Sequence, residues 1–139
     1  MNRDKIPRVL VIAGSDSSGG AGIQADIKTL TAFKVYSMTA ITAITAQNTN
    51  GVSSIETVSL DTIKRQIEAC ISDIGVDAIK IGMVNKGEIF DLIFEALNKY
   101  KISKKGIPII LDPVMFAKGG FPLLENQAIL ALKEFIDKV

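Results

Sequence analysis

Val9-Leu10-Val11-Ile12-Ala13 is an unbroken apolar run that ends at Gly14 and opens into Gly14-Ser15-Asp16-Ser17-Ser18-Gly19-Gly20-Ala21-Gly22. A strand without polar alternation is buried on both faces, which is the situation of a parallel sheet covered by helices. The rest of the chain keeps to that pattern. Ile23 to Phe33 reads as a helix with Ile23, Ile27 and Leu30 at helical spacing. Tyr36 to Thr45 is rich in β-branched residues and reads as a second strand, and Ser54 to Leu60 is a third extended run suited to an edge. Asp61 stands as the N-cap of a helix whose face carries Ile63, Ile67, Cys70, Ile71 and Ile74. Asp77 to Ile81 is a fourth strand stopped by Gly82, followed by a helix from about Lys86 to Tyr100 with Ile89, Leu92, Ile93, Ala96 and Leu97 inward. Pro108 to Leu111 is a fifth strand broken by Asp112-Pro113. A last helix near Asn126 to Lys138 presents Ile129, Leu130, Leu132, Phe135 and Ile136. Strand and helix alternate as in an α/β fold with an open, mostly parallel sheet.

Composition narrows the chemistry. The 139 residues suit a single domain, and 47% hydrophobic content with a net charge of +1 excludes intrinsic disorder. That balance, with no clustered basic face, argues against a nucleic-acid partner. There is no histidine and one cysteine, so His-dependent triads, disulfides within the chain and cysteine zinc sites are excluded. Cys70 lies on an apolar helical stripe and reads as a small hydrophobe. Val35 to Ile55 carries no charge, but its Thr, Ser, Asn and Gln residues are unlike a membrane span, and the N-terminus is unlike a signal peptide. The expectation is a cytoplasmic protein with no membrane partner.

In open α/β sheets ligands bind beyond the carboxyl ends of the strands, which selects four places. The Gly/Ser loop after the first strand leads into a helix N-terminus, where backbone N–H groups suit an anion or polar ligand. Gly14-x4-Gly19 opens like a P-loop but lacks its lysine. Gly20-Ala21-Gly22-Ile23-Gln24-Ala25 fits a dinucleotide fingerprint but lacks the acid about twenty residues on. A tight strand-to-helix turn is the alternative reading of the glycines. In Ala46-Gln47-Asn48-Thr49-Asn50-Gly51, read as a loop, the Gln47 amide can donate and accept at once toward an aminopyrimidine edge, or simply satisfy nearby backbone. Met83 can lie on a flat ring or belong to the core. Asp112 can sit by magnesium and phosphates or serve the turn before Pro113.

Ala13 to Asp26, with Thr45-Ala46-Gln47-Asn48-Thr49, Asp77-Ala78-Ile79-Lys80-Ile81-Gly82-Met83, Leu111-Asp112-Pro113-Val114-Met115 and Pro122-Leu123-Leu124, resembles the bacterial hydroxymethylpyrimidine/phosphomethylpyrimidine kinases, in order and at matching spacing. The resemblance implies a ribokinase-like fold with helices on both faces of the sheet. It implies two ATP-dependent phosphorylations of 4-amino-5-hydroxymethyl-2-methylpyrimidine in thiamine diphosphate biosynthesis, with Mg2+ as cofactor. It puts the aminopyrimidine on Gln47, with Gly14, Asp26, Thr45, Met83 and Val114 lining the pocket. Asp26 would face the hydroxymethyl group, and Asp112 the magnesium and phosphates.

Two departures stand out. Lys118-Gly119-Gly120 replaces the family's Lys-Ser-Gly in a flexible loop. The sequence also ends at Val139, before the family's Thr-Pro-Asn…Glu and Gly-Thr-Gly-Cys segments. Residues 1–139 therefore read as the N-terminal portion of a kinase domain, with no catalytic residue of their own. A homodimer or a complementing C-terminal polypeptide is the expected partner. The competing expectations are an inactive pyrimidine-binding fragment, a decayed gene product and a pyridoxal-kinase-like protein.

Overall fold

The computed structural model describes residues 5–117, 120–125 and 128–139. Strands β1 (Arg8–Asp16), β2 (Tyr36–Asn48), β3 (Gly51–Thr57), β4 (Ala78–Ile81) and β5 (Ile109–Leu111) form one sheet in the order β3-β2-β1-β4-β5. All neighbours are parallel except β2 and β3, which form an antiparallel hairpin at one edge. The helices are α1 (Gly22–Ala32), α2 (Leu60–Ala69), α3 (Gly87–Lys99) and α4 (Ala128–Lys138).

The pleat of β1 explains its continuous hydrophobicity. Leu10 and Ile12 join Ile63, Ile67, Ile79, Ile81, Ile89 and Ile93 in the main core, beneath α2 and α3. Val11 and Ala13 face the other way and pack on Ile23 of α1, with Val9, Leu30 and Ile41 around them. Helices thus cover both faces, as expected, and α4 adds Leu132 and Phe135 against α3, where the Phe90 and Phe135 rings lie 5.5 Å apart.

Several local expectations are corrected. β1 does not stop at Gly14. A register shift between Ala13 and Ser15 lets it continue beside Ile44 and Thr45 as far as Asp16. The expected loop Ala46–Gly51 is mostly strand, because β3 gives Ala46, Gln47 and Asn48 antiparallel partners. Its turn is held by Asn48 Oδ1, which accepts from Asn50 N at 2.9 Å and Gly51 N at 3.2 Å. The third strand accordingly ends at Thr57, and Leu60 opens α2. Ser59, not Asp61, caps α2 by accepting from Thr62 N, while Asp61 in the first turn accepts from Arg65 at 2.7 Å. Ile27, Leu130 and Ile136 are exposed at 37%, 68% and 49%. The reason is geometric: a helix laid on one neighbour buries a single narrow face, and these residues flank that face. Asn126, Gln127, Lys118 and Gly119 lie outside the described residues. Among the described residues no helix is long and apolar enough to cross a membrane.

Candidate active site

The strand order reverses direction around β1: the chain moves outward to β2 and β3, then returns to β4 on the opposite side. Beyond the carboxyl ends of β1 and β4 such a sheet leaves a crevice, and here it is a cleft of about 520 Å3. Gly14, Asp26, Thr45, Gln47, Met83, Asp112 and Val114 all line it. Four strand ends and the first helix therefore bring these sequence-selected residues to one place.

Local packing fixes their positions. A Cβ on Gly14 would lie 2.9 Å from Met83 Cε, so the missing side chain is what admits Met83 to the cleft wall. Met83 is largely buried with Ala43, Val52 and Leu123, and Val114 packs on the same cluster. The buried Thr42 hydroxyl donates to the Met83 carbonyl at 2.7 Å. Thr45, also buried, donates to the Ser15 carbonyl at 2.9 Å, and Gln47 Oε1 lies 3.3 Å from the same hydroxyl oxygen. The Gln47 backbone is tied in turn to Ser17, whose Oγ accepts from Gln47 N and donates to the Gln47 carbonyl, both at 2.8 Å. Asp112 is exposed, and its N–H donates to the Ile81 carbonyl at 2.8 Å, anchoring the segment after β5 to β4.

The glycine-rich loop differs from its expected use. Asp16 turns its carboxylate back into the loop, accepting from Ser18 N and Oγ at 2.8 Å each, Ala21 N at 2.8 Å and Gly20 N at 3.0 Å. Burial by itself would raise this carboxyl, but those hydrogen bonds outweigh it and hold the group below the usual carboxylate value. The amides expected to cradle an anionic ligand already serve an anion built into the chain. Gln24 completes the turn by accepting from Asp16 N at 2.9 Å and donating to Ser15 Oγ at 2.7 Å. Gly22 has a φ of +57°, and a Cβ there would collide with the Gly14 carbonyl. The tight-turn reading of the glycines is the one the geometry supports.

Lys80 was not singled out from the sequence, yet it lines the cleft and pairs with Asp26 at 2.9 Å. The signal was available: a lysine between Ile79 and Ile81, both fully buried, needs a partner. Among the described residues no three carboxylates, histidines or cysteines gather as a metal site. Asp112 alone does not fit a resident magnesium ion, which takes octahedral oxygen coordination.

The sequence model for phosphomethylpyrimidine kinase matches residues 16–139. The hydroxymethylpyrimidine/phosphomethylpyrimidine kinase of Bacillus subtilis is 44% identical over 131 residues, a match covering 94% of this chain and 47% of that protein. The crystal structure of phosphomethylpyrimidine kinase from Clostridium difficile superposes with a TM-score of 0.82 at 48% identity, over 95% of this chain and 55% of that one. A Bacillus subtilis pyridoxal kinase in complex with ADP gives 0.78 at 36% identity, over 95% and 47%. The chain spans about half the length of the curated relatives it matches. These neighbours share the ribokinase-like fold expected from the sequence. With the family model matching residues 16–139 and these relatives covering more than nine-tenths of the chain, the chain belongs to the phosphomethylpyrimidine kinase family.

Proposed function

We propose that residues 1–139 are the N-terminal, substrate-holding portion of a kinase that phosphorylates 4-amino-5-hydroxymethyl-2-methylpyrimidine and then its monophosphate with ATP, on the way to thiamine diphosphate. The observation that carries this reading is a cleft, in a chain of this family, lined by both a strand-end amide, Gln47, and a helix carboxylate, Asp26. In the reading, Gln47 pairs with the amino group and ring nitrogen of the pyrimidine, using both ends of its amide. Met83 and Val114 supply an apolar wall for the ring, and Gly14 and Thr45 bound its edge. Asp26 accepts the hydrogen bond of the hydroxymethyl group and orients its oxygen toward the γ-phosphorus of ATP.

Phosphoryl transfer rests on positioning and charge stabilisation more than on covalent chemistry. The cleft's own polar groups account for the positioning. Magnesium would enter with the nucleotide, with Asp112 offering it a single oxygen. Charge stabilisation falls to residues outside this sequence, in the same polypeptide or a partner, consistent with relatives about twice as long.

The test is calorimetry of the purified chain with the pyrimidine, followed by mass spectrometry of products after addition of Mg-ATP with and without the remainder of the kinase. Binding by the chain, and product once that remainder is present, are expected. A folded chain giving no heat with the pyrimidine would sink the proposal. Pyridoxal belongs in the same titration, because pyridoxal kinases are among the structural neighbours. Tighter binding of pyridoxal than of the pyrimidine would favour that second substrate.

A further inference from the structure

Lys80 sits in the middle of β4, opposite Val11 of β1 and between two strand residues with no exposed surface. Its ammonium reaches 2.9 and 3.2 Å from the two carboxylate oxygens of Asp26 on α1. The pair is not sealed: the two side chains retain 24% and 23% of their exposure, and both line the cleft. Among the described lining residues the charged groups are Asp16, Asp26, Asp112 and Lys80, and with the Asp16 carboxylate turned into its own loop, two carboxylates and one cation are left to the cleft. The Ser18, Gly20 and Ala21 amides ahead of α1 are already taken by Asp16.

The two substrates of the proposed reaction differ at the very group that approaches Asp26. In the first step the oxygen of a neutral alcohol forms the new bond to the γ-phosphorus, releasing ADP and the hydroxyl proton. In the second the acceptor is an oxygen of a phosphate monoester, again with loss of ADP. A carboxylate suits the alcohol and repels the monoester. Among the described lining residues Lys80 is the one cation that can offset that repulsion. Its flexible stem and three N–H donors let it hold Asp26 with one and turn the others to a ligand oxygen.

Building on the proposed function, we infer that Lys80 is the specificity-determining residue that allows one cleft to hold both acceptors: it pairs with Asp26 when the alcohol is bound and donates to the phosphate when the monoester is bound. The experiment compares the purified protein with Lys80→Met, Lys80→Arg and Asp26→Asn by calorimetry against the hydroxymethylpyrimidine and its monophosphate. Urea unfolding of each variant accompanies the titrations.

Loss of a charge-assisted hydrogen bond predicts monoester affinity down by about tenfold or more in Lys80→Met, against a change below about threefold for the alcohol. Asp26→Asn should act in the opposite sense, weakening the alcohol and tightening the monoester. Lys80→Arg keeps the charge and should retain monoester binding, which preserves the test if Lys80→Met fails to fold. Equal losses for both ligands in Lys80→Met, or no loss for either, would overturn the inference and make the pair structural. A wild-type protein that binds neither ligand overturns the functional reading itself, a different failure from one in which it binds both and Lys80 is irrelevant.

Discussion

Replacing Gly22 by alanine tests how the cleft is built, because two separable effects meet there. The first is conformational: at a φ of +57° an L-residue pays roughly 1–2 kcal/mol. The second is steric: the new Cβ would strike the Gly14 carbonyl and lie 3.3 Å from Asp16 N, both backbone atoms that cannot rotate away. Gly106 supplies the control, since its φ of +67° imposes the first effect while nothing lies within 4 Å to impose the second. Reduced freedom of the unfolded chain returns about 0.4–1 kcal/mol to either alanine variant. Gly106→Ala should therefore lose no more than about 1–1.5 kcal/mol on these terms. Gly22→Ala adds an overpacking cost of about 1–3 kcal/mol, enough at a slope of about 2 kcal/mol per M to lower a urea midpoint by roughly 0.5–1.5 M beyond the control. Urea unfolding of the two variants and wild type measures the difference directly. If Gly22→Ala is no less stable than Gly106→Ala, the tight junction between β1 and α1 is not what the glycine serves.

Thr42→Val leaves the shape of a fully buried side chain but strips the Met83 carbonyl of its donor, and should cost about 1–3 kcal/mol in the same unfolding assay. Gln47→Ala should weaken pyrimidine binding by about tenfold or more in a titration while changing stability little, since its side chain is only half buried. Acid sensitivity should trace to Asp77, whose carboxyl is held well below its usual value first by the Arg8 side chain, against burial, and further by Arg8 N and Lys5. A depressed folded value stabilises the protein above the ordinary aspartate value near 3.8, and that stability is lost as pH falls from there through the folded value. Asp77→Asn should thus be less stable than wild type at neutral pH, and the gap should narrow as the solution is acidified. A constant gap between the two stability curves would count against the assignment.

The sequence announced the central strands because Val9 to Ala13 of β1 is an unbroken apolar run and Ile79 and Ile81 of β4 stand just before Gly82, patterns that need no knowledge of neighbours. The strand-end rule then found Gly14, Gln47, Met83 and Asp112, while Asp26 came from family resemblance. What stayed hidden depended on three-dimensional partners. Ala46 to Asn48 reads as loop in the sequence, and its place in β2 is decided by β3 lying alongside. The Asp16 carboxylate looks like any loop acid until the chain curls around it. Lys80 and Asp26 lie 54 residues apart, and their contact exists only once α1 has packed on β1 and β4 has paired beside it. Leu130 and Ile136 show the converse, since an apolar periodicity reports the residues present and not the surfaces that cover them.

The strand order also says something about the route by which this molecule acquires its site. The β2–β3 turn joins residues three apart in sequence, whereas the clasp of Arg8 on Asp77 at the opposite end of the β1–β4 seam joins residues 69 apart. Loop-closure entropy delays the longer connection, and folds rich in such contacts fold slowly. Loop-closure entropy alone favours the hairpin ahead of the seam between β1 and β4, which is expected to close late. Since Gly14 and Asp16 come from one side of that seam and Lys80 and Met83 from the other, the cleft assembles in the same late event. A ligand that bridges the two sides can bind only after the slowest junction has closed, and it will act as a brake on its reopening.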